Sequence, residues 1–165
     1  MHRFISYILG AILCVGYLQV DAQQKTAAAL DQFEKPYDPE EDAQQALDSL
    51  LLVAKETNKN IIVQAGGNWC IWCLRFNNYI HADHDLRKLV NDKLLYYHLN
   101  YSKENKNEAV FQRYAPTGNQ LGYPFFIVLN GQGEVLAVRE SGSLEAGEGY
   151  DKAKVTTFFT EFIKK

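Results

Sequence analysis

Two cysteines, Cys70 and Cys73, stand one helical turn apart where an apolar run gives way to a helical pattern. Residues 61–65 are a short apolar run that reads as a buried strand, and Gly66-Gly67-Asn68 breaks it. Ile71, Leu74 and Tyr79 then recur at helical spacing, which predicts a helix over 70–80. A strand that turns straight into a helix opened by a cysteine pair constrains the neighbourhood more than any other stretch of the chain. The two thiols can close a disulfide across one turn. Cys70 would sit at the positive end of the helix, where unpaired N–H groups and the dipole stabilise a thiolate. That thiolate is the nucleophile of disulfide exchange, and Cys73, one turn further in, is the natural resolving thiol.

Other uses of the pair are weighed beside this one. A purely structural disulfide would close a very small loop and restrain the unfolded chain little. Covalent haem needs a histidine directly after the second cysteine, where Leu74 stands. Zinc is the stronger competitor, because Cys70, Cys73, His81 and His84 are the right ligand types. The gap between cysteines and histidines is shorter than in zinc fingers, and His81 and His84 are expected beyond the first helix. Both also read as ordinary surface histidines.

The chain begins with a segment to be set aside. His2 and Arg3 precede a charge-free, mostly apolar run over 4–20, and Val20-Asp21-Ala22 offers a cleavage site before Gln23. Residues 1–22 are therefore expected to be a secretory signal peptide. An uncleaved anchor is the alternative, with a run at the short end for a membrane span. Lipid attachment at Cys14 is a third, opposed by Ile12 and Leu13 where small residues are preferred. After cleavage, Cys70 and Cys73 are the only cysteines left, in a compartment that tolerates disulfides.

Residues 23–37 read as a polar leader with some flexibility, and 38–165 as the folded domain. Asp38-Pro39-Glu40-Glu41 predicts a helix start, followed by Ala43, Ala46, Leu47, Leu50, Leu51 and Ala54 at helical spacing. A second short helix is expected within 81–91, a strand over 94–101, and a helix over 106–114. Residues 123–129 form a strongly apolar strand, Asn130-Gly131-Gln132-Gly133 a hairpin turn, and 134–139 its antiparallel partner. Val155, Phe158, Phe159, Phe162 and Ile163 give the last helix one apolar face. Alternating helices and strands make this an α/β sheet with one antiparallel edge. The charge balance, 17 basic against 20 acidic side chains in 165 residues, leaves no electrostatic footprint for nucleic acid.

Three features in this order resemble the thioredoxin superfamily from about residue 43 onward. They are Trp69-Cys70-Ile71-Trp72-Cys73 after a buried strand, a strand ending in Leu99-Asn100, and Tyr123-Pro124-Phe125-Phe126 running into the hairpin. The resemblance implies a thioredoxin-like fold: a central mixed sheet flanked by helices, with a C-terminal β-hairpin and helix. It implies a cis bond before Pro124, with the Tyr123 backbone presented to a substrate strand. Trp69 and Trp72 become candidates for an apolar rim, although Trp72 can equally pack beside its neighbours. No cofactor is implied, since the electrons reside in the cysteines.

The departures narrow this. Where thioredoxins carry a buried acid, this chain has Gln64, and an amide cannot act as a general base. His98 matches the position of a buried lysine. Either it takes over proton handling or it is a core histidine. With no cation in Ile71-Trp72 to stabilise a thiolate, a reducing or mid-range couple is expected. The chain is thus read as a secreted, periplasmic, monomeric thiol–disulfide oxidoreductase acting on protein substrates and served by a membrane or soluble thiol partner. The alternatives are a zinc-binding or a chaperone-like peptide-binding protein on the same fold. Asn100-Tyr101-Ser102 is a glycosylation sequon, read as incidental at the end of a buried strand.

Overall fold

The computed structural model of the chain describes residues 29–164. The expected signal peptide, Cys14 and the first part of the leader lie outside the described residues. Residues 29–33 belong to a separate unit and hold a helical turn, in which Gln32 Nε2 donates to the Ala29 carbonyl. All other described residues belong to the unit that begins at Glu34.

That unit opens with helix α1 (Ala43–Thr57). Its N-cap is Asp42, whose carboxylate accepts from the Gln44 and Gln45 N–H groups at 3.0 and 3.1 Å. This corrects the expected start at Asp38, whose carboxylate instead closes a turn by accepting from the Glu40 N–H. Asn58, with a left-handed φ of 54°, ends the helix. Strand β1 (Asn60–Gly66) follows, then α2 (Ile71–Ala82), α3 (His84–Lys93) and β2 (Leu94–Asn100). Asp83 separates α2 from α3 by capping the latter, so His81 lies inside the first of these helices rather than beyond it. Helix α4 (Glu108–Tyr114) starts later than expected because Asn107 is left-handed at φ 47°.

Strand β3 (Phe125–Leu129) and β4 (Val135–Glu140) form the expected hairpin. Asn130 Oδ1 fixes its turn by accepting from the Gln132 and Glu134 N–H groups. A two-stranded ribbon, β5 (Glu145–Ala146) and β6 (Gly149–Tyr150), was not foreseen from the sequence. Helix α5 (Lys152–Glu161) closes the chain.

The main sheet runs β2-β1-β3-β4. β1 and β2 are parallel, whereas β3 is antiparallel to both β1 and β4. The antiparallel character therefore begins at the centre of the sheet and not at one edge, because β3 enters from the Tyr123–Pro124 end.

Alternation along β1 and β3 divides the core in two. Ile61, Val63 and Ala65 join Phe125, Ile127 and Leu129 under α1 and α4. Ile62, Phe126 and Val128 face the aromatic layer of Phe76, Phe158 and Phe159 from α2 and α5. Gln64, two residues after Ile62 on the same face of β1, pairs with Phe126 of β3 on one side and His98 of β2 on the other, and is fully buried.

Candidate functional site

Gly66 and Gly67 leave space that a Cβ would take from Cys73 Sγ and the Trp69 indole, and Cys70 becomes the N-cap of α2. Its Sγ accepts from the Cys73 N–H at 3.1 Å, the orphan donor that any helix start offers. Cys70 and Cys73 are joined in a disulfide with Cα atoms 5.2 Å apart. Cys70 is 6% exposed and Cys73 fully buried, so solvent reaches the pair from the Cys70 side.

Tyr123 packs against the pair. The Tyr123–Pro124 peptide bond is cis. Trp69 is half exposed and meets Tyr123 edge-on with ring centroids 5.4 Å apart. Tyr123 in turn stacks on Tyr101, and Tyr101 meets Phe111. These rings border a cleft of about 240 Å³ that also includes Gln112 and Pro116. The indole N–H of Trp69 donates to the Tyr101 carbonyl at 2.6 Å and fixes the indole against Tyr123.

Trp72, left open by the sequence, packs against neighbours. Tyr150 lies edge-on to it and donates to its carbonyl at 3.0 Å, and the Arg75 guanidinium sits 5.0 Å from its ring centroid. Trp69 and Tyr123 thus meet beside Cys70, with cis-Pro124 following Tyr123 in the chain, whereas Trp72 packs both on the Tyr37–cysteine cluster and against Tyr150 of the β5–β6 ribbon.

Beneath the disulfide lies a neutral hydrogen-bond network. Gln64 Nε2 donates to the Tyr37 hydroxyl at 2.6 Å and to the Cys73 carbonyl at 3.0 Å. Gln64 Oε1 accepts from the Tyr96 hydroxyl. Burial pushes the phenols of Tyr37 and Tyr96 far above their ordinary range, so both keep their protons. His98 packs edge-on against Tyr37 and Tyr96 with centroids 5.1 and 5.2 Å away. Its Nε2 is shut from solvent without a hydrogen-bond partner among the described residues. Burial, reinforced by His81, depresses its pKa to about 4, so it is neutral at pH 7. His98 is thus one layer removed from the cysteines, with Tyr37 between them.

The sequence missed Tyr37. It falls in the stretch taken as a leader, yet it is only 2% exposed and packs on both cysteines. Asn68 fastens it, accepting from the Tyr37 N–H at 3.2 Å and donating to the Tyr37 carbonyl at 2.7 Å. The only sequence signal for Tyr37 was an aromatic residue at the end of a polar, Ala-rich segment that also holds Phe33.

The zinc arrangement is not assembled. His81 lies eight residues beyond Cys73 along α2, about 12 Å of helix rise, far outside a shared coordination shell. His84 is exposed and faces Asp85. Among the described residues no group of three or more His, Cys, Asp or Glu side chains converges as a metal site. Asn100 is buried and its amide donates to Ser102 Oγ and the Asn105 carbonyl, so the sequon is occupied by structure.

Comparisons with known proteins agree with this geometry. The family model described as thioredoxin-like matches residues 42–131. The crystal structure of a disulphide isomerase from Xylella fastidiosa superposes with a TM-score of 0.68 at 23% identity, covering 78% of this chain and 96% of that one. No curated protein matches the chain. The fold expected from the sequence, a mixed sheet flanked by helices with a C-terminal hairpin and helix, is borne out.

Proposed function

Since the chain belongs to the thioredoxin-like family, we propose that it is a thiol–disulfide oxidoreductase acting on protein substrates in the reducing direction. The observation that carries this reading is the placement of Cys70 at the N-cap of α2, beside Tyr123 and Trp69, with Cys73 buried behind it. In the reduced protein the Cys70 thiolate attacks a substrate disulfide. One substrate sulfur leaves as a thiolate and the other stays bonded to Cys70. Cys73 then attacks Cys70 Sγ, and the second substrate sulfur leaves. Two electrons pass from the pair to the substrate, whose sulfurs end as thiols, and the pair itself is the only redox group required.

The reducing direction is supported by how little stabilises a Cys70 thiolate. It has the helix N-terminus and the Cys73 N–H, and Ile71-Trp72 adds no cation. Arg75 is held over Trp72 and faces Glu148 at 3.9 Å. A weakly stabilised reduced form makes a stronger reductant. Trp69, Tyr123 and Pro124 receive the substrate backbone, with the Tyr101–Phe111 cleft beside them. The protein is a secreted, periplasmic monomer, re-reduced by a membrane or soluble thiol partner. The sequence of residues 2–22 supports that location.

The test is the reduction potential of the pair in defined thiol buffers, together with insulin reduction by wild type and Cys70→Ser. A potential near or below about −250 mV with Cys70-dependent turnover is expected. A value between about −180 and −120 mV would overturn the reducing direction in favour of an isomerase or oxidant. Turnover no greater than that of Cys70→Ser would overturn the oxidoreductase reading itself.

A further inference from the structure

We propose that Tyr37 is a positioning residue for the resolving step, its phenol donating a hydrogen bond to the Cys73 sulfur when that sulfur is a thiolate. This rests on the oxidoreductase reading above.

The argument is a proton inventory. Gln64 commits both amide hydrogens, one to the Tyr37 hydroxyl oxygen and one to the Cys73 carbonyl. Its oxygen is taken by the Tyr96 hydroxyl. Tyr37 is therefore an acceptor towards Gln64, and no acceptor among the described residues takes its own hydroxyl hydrogen. That hydroxyl and the Cys73 sulfur border the same spot. A methyl group on Gly66 would stand 2.9 Å from the one and 2.5 Å from the other. Only a glycine leaves the strand low enough for both.

Cys73 needs such a donor. It is fully buried, and among the described residues no Asp, Glu, Lys or Arg is buried that could supply or balance charge. The Cys73 N–H is already spent on Cys70 Sγ. Burial without a partner would raise the thiol pKa and starve the second step of thiolate. One charge-assisted hydrogen bond opposes this. Tyr37 is held ready by the paired bonds to Asn68 and by the His98 ring against its own. Its raised pKa keeps it a donor through the neutral range.

The step balances within the mixed disulfide. Cys73 sulfur bonds to Cys70 Sγ, the bond from Cys70 to the substrate sulfur breaks, and the departing thiolate gains the proton that Cys73 gave up. Tyr37 keeps its own proton throughout.

Tyr37→Phe removes the hydroxyl and keeps the ring. In a Cys70→Ser background, the pH midpoint for alkylation of Cys73 is expected to rise by about one unit on adding Tyr37→Phe. The titratable groups around Cys73 are residue 70 of its own turn, Tyr37 and Tyr123, with Tyr96 behind Gln64, His98 behind Tyr37, and Tyr150 on the Trp72 carbonyl. With His98 neutral above pH 6 and the tyrosines raised, none of these neighbours titrates between pH 6 and 9.

In protein with both cysteines, resolution of a glutathione mixed disulfide at pH 7 is expected to slow about threefold relative to Cys70 attack measured in Cys73→Ser. The tenfold loss of thiolate is partly offset by its greater nucleophilicity. An unmoved midpoint overturns the inference, and so does an equal slowing of both steps, which would mark a merely structural role. The Cys73 titration needs no substrate, so it decides the role of Tyr37 even if wild type fails to reduce insulin.

Discussion

Acid is expected to weaken the fold through one side chain, His98. Its ring is wedged between Tyr37 and Tyr96, and its Nε2 is shut from solvent without a hydrogen-bond partner among the described residues. The fold therefore holds the imidazole neutral down to a pKa of about 4, against an ordinary value of 6.5. The sign follows directly. Below pH 6.5 the unfolded chain binds a proton that the folded chain refuses, so stability present above that pH is lost as the pH falls towards 4. At about 1.4 kcal/mol per pH unit, the loss between pH 7 and pH 4.5 is about 2 kcal/mol. Asp83, Asp85, Asp92 and Glu104 are all held below the usual carboxylate range by ion pairs or hydrogen bonds. The Asp contributions begin to be lost only near the ordinary value of 3.8, below this window, and that of Glu104 near 4.5, at its lower edge. The assay is urea unfolding at pH 7.0, 6.0, 5.0 and 4.5 for wild type and His98→Leu. Leucine removes the orphaned nitrogen, so the variant should match or exceed wild type at pH 7 and change little to pH 4.5. A wild type that is flat across the window refutes the reasoning, as does a variant that keeps the wild-type slope.

Two further outcomes test the packing and the helix start. Gly66→Ala places a methyl against Cys73 Sγ at a position locked into the ladder with Asn100. It should cost about 1–3 kcal/mol in urea unfolding of the oxidised protein, and wild-type stability would refute the close approach. Asp42→Ala should lower stability by about 1 kcal/mol by leaving the Gln44 and Gln45 donors uncapped. Asp38→Ala should cost clearly less, and the reverse ranking would restore the earlier helix start.

The strands and most of the helices were legible because their signals are periodic and local. The apolar run of β1, the hairpin turn at Asn130 and the aromatic stripe of α5 each state their own structure. Boundaries failed where a polar side chain chose between competing partners. Asp38 and Asp42 both look like helix caps, and the winner is the one whose carboxylate meets two helical N–H groups. The direction of β3 was harder, since no local pattern says whether a central strand pairs parallel or antiparallel. The β5–β6 ribbon has two residues per strand, too few for any period to register.

The site divides along the same line. Trp69, Cys70 and Cys73 lie in one short motif at the start of α2, and Tyr123, which precedes cis-Pro124, packs against it. What surrounds Cys73 from below is not a motif. Tyr37 arrives from 31 residues before Asn68, and the residue that fastens it is an asparagine in a turn, unremarkable in sequence. Gln64 could be seen to lack a base's chemistry, but not to be saturated by three partners. That saturation decides the electrostatics under the disulfide. Because Gln64 is neutral and His98 stays neutral to about pH 4, the pocket behind Cys73 contains no charge of its own at neutral pH. Any charge that appears there during exchange belongs to the sulfur. The hydroxyl hydrogen left unspent by the network is then the nearest means of stabilising it, and substitution of a single oxygen atom on Tyr37 separates that role from packing.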